Sequence, residues 1–249
     1  MKTTHTTHTA MSRRAALLGG AFVAADVVLG SSPASADTTK APQAGVRIMP
    51  LGDSITDGFT PYPGGYRVGL WQRLVADGHT VDFVGSLSNG PAELGDHDHE
   101  GHSGWRIDQL DANINSWLQQ SDPRTVLLLI GTNDLNQNHD ITRAPARLSQ
   151  LLDHIRAVEP RCELFVATIP PQSNATLESR VRAYNAALPE IVASKGSRTH
   201  LVRIYDALTP ADLADGIHPT QAGHAKMAAV WHEALRAVPS SLVPLARRP

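Results

Sequence analysis

The 249-residue chain has little of what several classes of protein require. Its one cysteine, Cys162, cannot form an internal disulfide, and we predict a small buried residue there rather than a nucleophile. The net charge is −2 without a basic cluster, which argues against a nucleic-acid partner. Beyond residue 36 no apolar run approaches the ~20 residues that span a bilayer, so we expect no membrane partner for the mature chain.

The first 36 residues have the organisation of an export signal. Ser12-Arg13-Arg14 precedes a mostly apolar stretch at residues 15–29, and Ala34-Ser35-Ala36 forms an A-x-A cleavage site. The paired arginines indicate twin-arginine export, and Met11 is an alternative start. An anchoring helix is disfavoured because the stretch is too short and contains Asp26. We therefore expect a secreted, extracellular protein that loses this segment.

The remaining chain alternates short apolar runs with helical patterns, after a linker at residues 37–44. The predicted strands are residues 46–51, 81–84, 125–130, 164–169 and 200–205. The predicted helices are residues 66–76, 107–119, 144–158, 177–192 and 221–237. This alternation predicts one domain, residues 45–238, with the α/β fold of a three-layer α/β/α sandwich. We expect a flavodoxin-like parallel sheet of about five strands, and a poorly ordered tail at residues 239–249.

Four polar segments follow predicted strands, and the carboxyl ends of parallel strands are where open α/β sheets bind ligands. The segments are Gly52-Asp53-Ser54, Gly101-His102-Ser103-Gly104, Gly131-Thr132-Asn133-Asp134 and Asp215-Gly216-Ile217-His218. We therefore expect them to meet at one edge of the sheet.

Ser54, His218 and Asp215 are the candidate catalytic residues in these segments. A serine after Gly-Asp is most often a helix cap or turn residue. As a nucleophile it needs a base, which His218 can supply, and Asp215 three residues earlier can orient the imidazole.

A nucleophilic serine also needs donors for the oxyanion of the tetrahedral intermediate. Asn133 can supply a side-chain N–H, although asparagine is also a common turn residue. The backbone N–H groups of Ser54 and Gly104 complete the candidate oxyanion hole. Gly104 is otherwise an ordinary loop glycine, but without a Cβ it allows a substrate to approach the backbone closely.

The motifs G-D-S-I-T, G-H-S-G-W, G-T-N-D and D-G-I-H-P resemble, in order, the four blocks of the SGNH (GDSL-type) hydrolases. The resemblance covers nearly the whole predicted domain. It implies Ser54 as nucleophile, Gly104 and Asn133 as oxyanion donors, His218 as base and Asp215 as the third member of a triad. It implies a serine esterase that needs no cofactor.

Longer stretches, including RIMPLGDSITDG and DHEGHSGWRIDQL, resemble the acetylxylan esterases of carbohydrate esterase family three. This closer resemblance implies an acetylated polysaccharide such as xylan, or a small ester, as substrate. The alternatives are a lipase, a thioesterase or a general carboxylesterase with the same triad, and more remotely a non-catalytic carbohydrate-binding protein. Neither the resemblance nor the composition indicates an oligomeric state.

Three further features near these motifs have competing interpretations. Tyr66 and Trp105 are either core aromatics or a platform for a sugar ring. Residues 96–102, Asp-His-Asp-His-Glu-Gly-His, are rich in metal-ligand types, but their spacing matches no zinc motif. We predict no catalytic metal there and leave a structural cation open. Asp57 most simply ends the turn after Ser54, and we assign it no chemical role.

Overall fold

The computed structural model of the protein describes residues 45–58 and 61–245. The predicted export signal and the predicted linker lie outside the described residues. Within the described ranges, no helix combines the length and the hydropathy needed to cross a bilayer.

The described residues form a central sheet of seven strands, rather than the predicted five or so. The strands are β1 (Val46–Gly52), β2 (Val81–Phe83), β3 (Leu87–Ser88), β4 (Asp98–Gly101), β5 (Thr125–Leu129), β6 (Glu163–Ala167) and β7 (Thr199–Val202). β2, β1, β5, β6 and β7 are parallel neighbours in that order, so the flavodoxin-like prediction is confirmed.

The two additional strands form an antiparallel hairpin that continues the sheet beside β1. β2 pairs with the beginning of β1, whereas β4 pairs with its end, where Leu51 faces Glu100 and Gly52 faces Gly101. The Asp-His-Glu-Gly sequence of β4 has no apolar pattern, so β4 is not among the predicted strands. Its polar groups are instead bonded internally: Glu100 accepts hydrogen bonds from the Ser86 backbone N–H and Oγ, both at 2.7 Å.

Helices cover the sheet and complete the three-layer α/β/α sandwich. They are α1 (Ser54–Asp57), α2 (Gly65–Ala76), α3 (Ile107–Ser121), α4 (Thr132–Asn136), α5 (Ala144–Val158), α6 (Ala175–Ala193), α7 (Ile204–Ala207) and α8 (Gln221–Ala237). α2 packs against α8, and α3 against α5. The five residues of β5 are all buried, as expected for a central parallel strand covered on both faces.

The start of the C-terminal tail is more ordered than we predicted. Pro239–Leu242 forms a 3-10 turn in which Ser241 and Leu242 are buried. The Thr125 hydroxyl at the start of β5 donates to the Ser241 carbonyl at 2.7 Å, and the Arg124 guanidinium donates to the Ser240 carbonyl at 2.8 Å. These bonds fasten the tail to the amino-terminal edge of the sheet, opposite the candidate site.

Candidate active site

Ser54 is the first residue of α1, two residues after the end of β1, and lies at the carboxyl edge of the sheet. Asp53 is the N-cap of α1 and its Oδ1 accepts a hydrogen bond from the Ile55 N–H at 3.0 Å. Ser54 is the first residue of that turn, so its own N–H lies outside the helical hydrogen-bond ladder. The cap therefore presents both the hydroxyl and the backbone N–H of Ser54 at the edge of the sheet.

The structure brings Ser54, His218 and Asp215 into one hydrogen-bonded line. The Ser54 Oγ lies 2.9 Å from the His218 Nε2, across 164 residues of sequence. The His218 Nδ1 lies 2.7 Å from the Asp215 Oδ2. Because an ionised carboxylate only accepts hydrogen bonds, the Nδ1 is the protonated nitrogen, and the Nε2 is free to accept the Ser54 proton.

The segment that carries His218 is itself shaped by Asp215. The Asp215 Oδ1 accepts hydrogen bonds from the backbone N–H groups of Ile217 at 2.9 Å and His218 at 2.8 Å. Burial alone would raise the pKa of Asp215, but these bonds and the His218 side chain outweigh it and lower the pKa to about 2. Asp215 is therefore ionised throughout the neutral range and can hold the imidazole in one tautomer.

Asn133 and Gly104 lie side by side at the same edge. Asn133 is in α4, directly after β5, and its Nδ2 donates to the Trp105 carbonyl at 2.9 Å. An amide nitrogen has two protons, so a second donor remains. Gly104 is exposed with φ +82°, and a Cβ there would meet no atom within 4 Å. Backbone conformation, rather than crowding within the protein, therefore favours glycine at this position.

Asp57, to which we assigned no chemical role, ties the Gly104 loop to the Ser54 turn. The Ser103 Oγ donates to the Asp57 Oδ2 at 2.5 Å, across 46 residues of sequence. The Asn89 amide donates to the other oxygen of the same carboxylate. On the far side of the loop, the Gln137 Nε2 donates to the Gly104 carbonyl at 2.9 Å. Gly104 is therefore held from two directions, by α1 and by the end of α4.

Asp53 is a second carboxylate beside Ser54, and it is completely buried. Its Oδ2 has no hydrogen-bond partner among the described residues. The pKa of Asp53 is raised to about 7, chiefly by burial and to a lesser extent by Asp134, against the lowering effects of the Ile55 N–H and of His218.

Stability should therefore depend on pH through Asp53. The pKa of Asp53 in the folded state lies above the unfolded value of 3.8, so protonation of Asp53 favours the folded state. This contribution to the free energy of unfolding is fully present below about pH 4 and is lost as the pH rises through about 7. Asp53→Asn cannot ionise, so the free energy of unfolding of the wild type should fall relative to this variant between pH 4 and 8. We expect a fall of roughly 1–4 kcal/mol, measured by urea denaturation.

The matched control is Asp206→Asn, which changes an exposed aspartate in the same way. Its difference from the wild type should stay nearly constant over that range. If the Asp53→Asn difference were also constant, the Asp53 pKa would not be raised.

The two aromatic candidates have different positions. Tyr66 is completely buried: its ring packs against Trp231 and its hydroxyl lies 3.2 Å from the Thr56 Oγ1. The proposal of a sugar platform is therefore wrong for Tyr66, because its ring has no surface left for a ligand. Trp105 is half-buried next to Gly104 and stacks on His102, with the ring centroids 4.3 Å apart. Trp105 remains close enough to the site to contact a substrate.

Five side chains of residues 96–102 take part in hydrogen bonds within the protein, those of Asp96, His97, His99, Glu100 and His102. Asp96 accepts from the Phe83 N–H at 3.1 Å, and the His97 Nε2 lies 3.0 Å from the Pro91 carbonyl. The His102 Nε2 lies 2.6 Å from Glu100 Oε1. In the described part of the chain, no three His, Cys, Asp or Glu side chains are arranged to hold a metal ion.

A family model described as the GDSL-like Lipase/Acylhydrolase family matches residues 51–226, a range that contains all of these site residues. The chain belongs to this family. The predicted SGNH (GDSL-type) resemblance is thereby confirmed.

Solved structures place the chain more closely within this family. A family 3 carbohydrate esterase of Clostridium thermocellum is 37% identical, with a TM-score of 0.69, and the match covers 78% of this chain and 96% of that one. A structure described as an acetyl esterase S10A mutant with acetate ion is 30% identical, with a TM-score of 0.69 and coverage of 78% and 97%. The chain therefore belongs to family 3 of the carbohydrate esterases, and the predicted class, a carboxylic ester hydrolase, is confirmed at family level.

A curated relative has a different overall size. The multidomain esterase of Ruminococcus flavefaciens is 33% identical over 217 residues, which are 76% of this chain but 28% of that protein. The GDSL-family chain thus spans little more than a quarter of this relative's length.

Proposed function

We propose that this chain is a secreted serine esterase that removes acetyl groups from a polysaccharide, with xylan as the first candidate. The observation that carries the proposal is the 2.9 Å contact between the Ser54 Oγ and the His218 Nε2, in a member of carbohydrate esterase family 3. Ser54 is the nucleophile, His218 the general base and Asp215 the residue that orients it.

The first half of the reaction forms an acetyl-enzyme. His218 takes the proton from the Ser54 Oγ as that oxygen attacks the ester carbonyl, and a tetrahedral oxyanion forms. We assign the oxyanion hole to the backbone N–H groups of Ser54 and Gly104 and the remaining amide proton of Asn133. His218 then donates its proton to the sugar oxygen as the carbon–oxygen bond breaks, which releases the alcohol.

In the second half, water replaces the sugar. His218 removes a proton from the water as it attacks the acetyl carbonyl, a second oxyanion forms in the same hole, and the proton returns to the Ser54 Oγ as acetate leaves. Asp215 stabilises the imidazolium in both halves, and its low pKa keeps it ionised while it does so.

Export suits a polymeric substrate that cannot enter the cell. The signal features of residues 1–36 support secretion, and amino-terminal sequencing of the protein from culture medium would test it. Protein that remained in the cell with residues 1–36 intact would contradict it.

The substrate proposal predicts a steep dependence on acyl-chain length. A pocket that fits acetyl must exclude longer chains, and one methylene changes binding in a pocket by ~1–3 kcal/mol. We expect kcat/KM on p-nitrophenyl esters to fall tens-fold from C2 to C4, with C8 and longer esters barely hydrolysed, and acetate to be released from acetylated xylan.

A profile that is flat from C2 to C12 would indicate a general carboxylesterase, and one that rises with chain length would indicate a lipase. Either result would overturn the acetyl-specific proposal while leaving the triad in place. A chain that bound xylan but hydrolysed no ester would instead be a carbohydrate-binding protein.

A further inference from the structure

A groove of about 500 Å³ lies beside the candidate active site, between the amino-terminal halves of α2 and α8. Residues at positions 65, 68, 69 and 72 of α2 form one wall, and Gln221, His224 and Ala225 of α8 form the other. These spacings place each set on one face of its helix. Tyr62 and neighbouring prolines line the end of the groove. The groove does not include Ser54, so it is a separate surface from the reacting centre.

The groove has the chemistry of a site for a neutral, hydroxyl-rich ring. Among the described residues that line it, Glu93 is the only Asp, Glu, Lys or Arg. The pKa of His224 is lowered to about 4, chiefly by burial and also by His218, so the imidazole is uncharged at neutral pH. The exposed amides of Gln72 and Gln221 supply donors and acceptors for hydroxyl groups. The prolines and the partly exposed ring of Tyr62 supply apolar surface for the C–H face of a sugar.

Tyr62 has a defined orientation in this groove. Its ring lies edge-on to the His224 imidazole, with centroids 6.2 Å apart and an interplanar angle of 65°. His224 is 5% exposed, so the wall that supports Tyr62 is fixed by burial. A supported aromatic ring loses less conformational freedom on binding a ligand than a mobile one.

The two helices that form the groove walls each follow a segment that carries a residue of the proposed triad. α2 follows the Ser54 turn, and the Arg67 Nε donates to the Thr56 carbonyl at 3.0 Å. α8 follows the His218 segment, and its N-cap Thr220 accepts a hydrogen bond from the Gly223 N–H at 3.1 Å. Gly65 on the groove wall lies close to both the Ile55 carbonyl and the His224 imidazole, so the groove adjoins the turn that carries Ser54.

We propose that this groove is a secondary binding site for unmodified sugar units of the polysaccharide chain. The proposal rests on the proposed deacetylase function, which it extends from the acetyl group to the polymer that carries it. It assigns the contact with the polymer to Tyr62, Gln72 and Gln221, on a surface that a small ester does not need.

The test is a variant that fills the groove without touching the core. Ala225 is exposed on the groove face of α8, so Ala225→Trp places a large ring in the space. Ala237→Trp is the matched control, because it makes the same change at an exposed position at the other end of the same helix. Tyr62→Ala is a second variant, which removes the aromatic surface instead of blocking it. Each protein is assayed on p-nitrophenyl acetate and on acetylated xylan, and its binding of unacetylated xylohexaose is measured by calorimetry.

We expect Ala225→Trp and Tyr62→Ala to raise KM for acetylated xylan about 10-fold and to weaken xylohexaose binding to a similar extent. Their kcat/KM on p-nitrophenyl acetate should stay within about 2-fold of the wild type, as should every value for Ala237→Trp. Equal losses on both substrates, or no loss on either, would overturn the proposal.

Failure of the proposed function would give a different pattern. A wild type that hydrolyses p-nitrophenyl acetate but not acetylated xylan would contradict the polysaccharide substrate. Calorimetry alone would then test the groove. Xylohexaose binding that Ala225→Trp weakens would support the proposed binding site, and the absence of binding to the wild type would overturn it.

Discussion

Ser54→Ala should abolish almost all esterase activity while the fold stays intact. Removing the nucleophile of a serine hydrolase lowers kcat by roughly 10⁴–10⁶-fold, and the residual rate comes from binding and the oxyanion hole. The substitution removes one oxygen from a residue that is 8% exposed, and the Asp53 cap and the α1 turn do not depend on that oxygen. We therefore expect the same urea midpoint as the wild type within experimental error, with initial rates on p-nitrophenyl acetate near background.

The control is Ser116→Ala, which removes an exposed serine hydroxyl from α3 and should leave the rate unchanged. A folded Ser54→Ala protein with more than roughly 1% of the wild-type kcat would show that another group attacks the ester. Ser103 is the serine to examine in that event, because it lies at the same edge. Its Oγ donates to the carboxylate of Asp57 rather than to an imidazole, so it lacks the serine–histidine contact that Ser54 has.

Most of the sheet could be predicted because its central strands are buried on both faces. Thr125–Leu129 and Glu163–Ala167 read as continuous apolar runs, and the predicted bounds differ from the observed ones by one or two residues. The hairpin of β3 and β4 could not be predicted in this way. Its buried groups are polar side chains such as Glu100, and the hydrogen bonds that satisfy them come from residues such as Ser86, outside β4.

The four segments of the candidate site could be predicted because strand order places them at one edge. The supporting contacts were missed, since no local pattern marks a bond between Asp57 and Ser103, which are 46 residues apart. The burial of Tyr66 was a different error. Tyr66, Leu70 and Leu74 are spaced at i, i+4 and i+8 and are all 0% exposed, so helical periodicity could have assigned Tyr66 to the core.

The hydrogen bonds that position the Gly104 loop and Asn133 are relevant to the proposed oxyanion hole. An oxyanion hole is effective when its donors are already in place before charge develops, because no reorganisation is then needed during the reaction. Asp57 holds the loop through Ser103, Gln137 holds the Gly104 carbonyl, and Asn133 is fixed by its bond to Trp105. In the proposed oxyanion hole, these contacts would supply that pre-organisation from the protein itself.

Asn133→Ala should therefore lower kcat by roughly 100-fold or more and change KM much less. Loss of one oxyanion donor costs ~3–4 kcal/mol of barrier in serine hydrolases. The donor acts on charge that exists only in the transition state, so the loss belongs to kcat rather than to substrate binding. Full kinetics on p-nitrophenyl acetate would separate the two parameters. Asn113→Ala is the matched control, because Asn113 is exposed on α3 and its Nδ2 also donates to a backbone carbonyl, at 2.9 Å.

The bond from Asn133 to the Trp105 carbonyl makes a second readout necessary. If Asn133 only braced that loop, Asn133→Ala would lower the free energy of unfolding or loosen substrate binding, and KM would rise with little change in kcat. An effect confined to KM would remove Asn133 from the oxyanion hole and leave the backbone N–H groups of Ser54 and Gly104 as its donors. A large fall in kcat with unchanged urea stability would instead assign the second amide proton of Asn133 to the developing oxyanion.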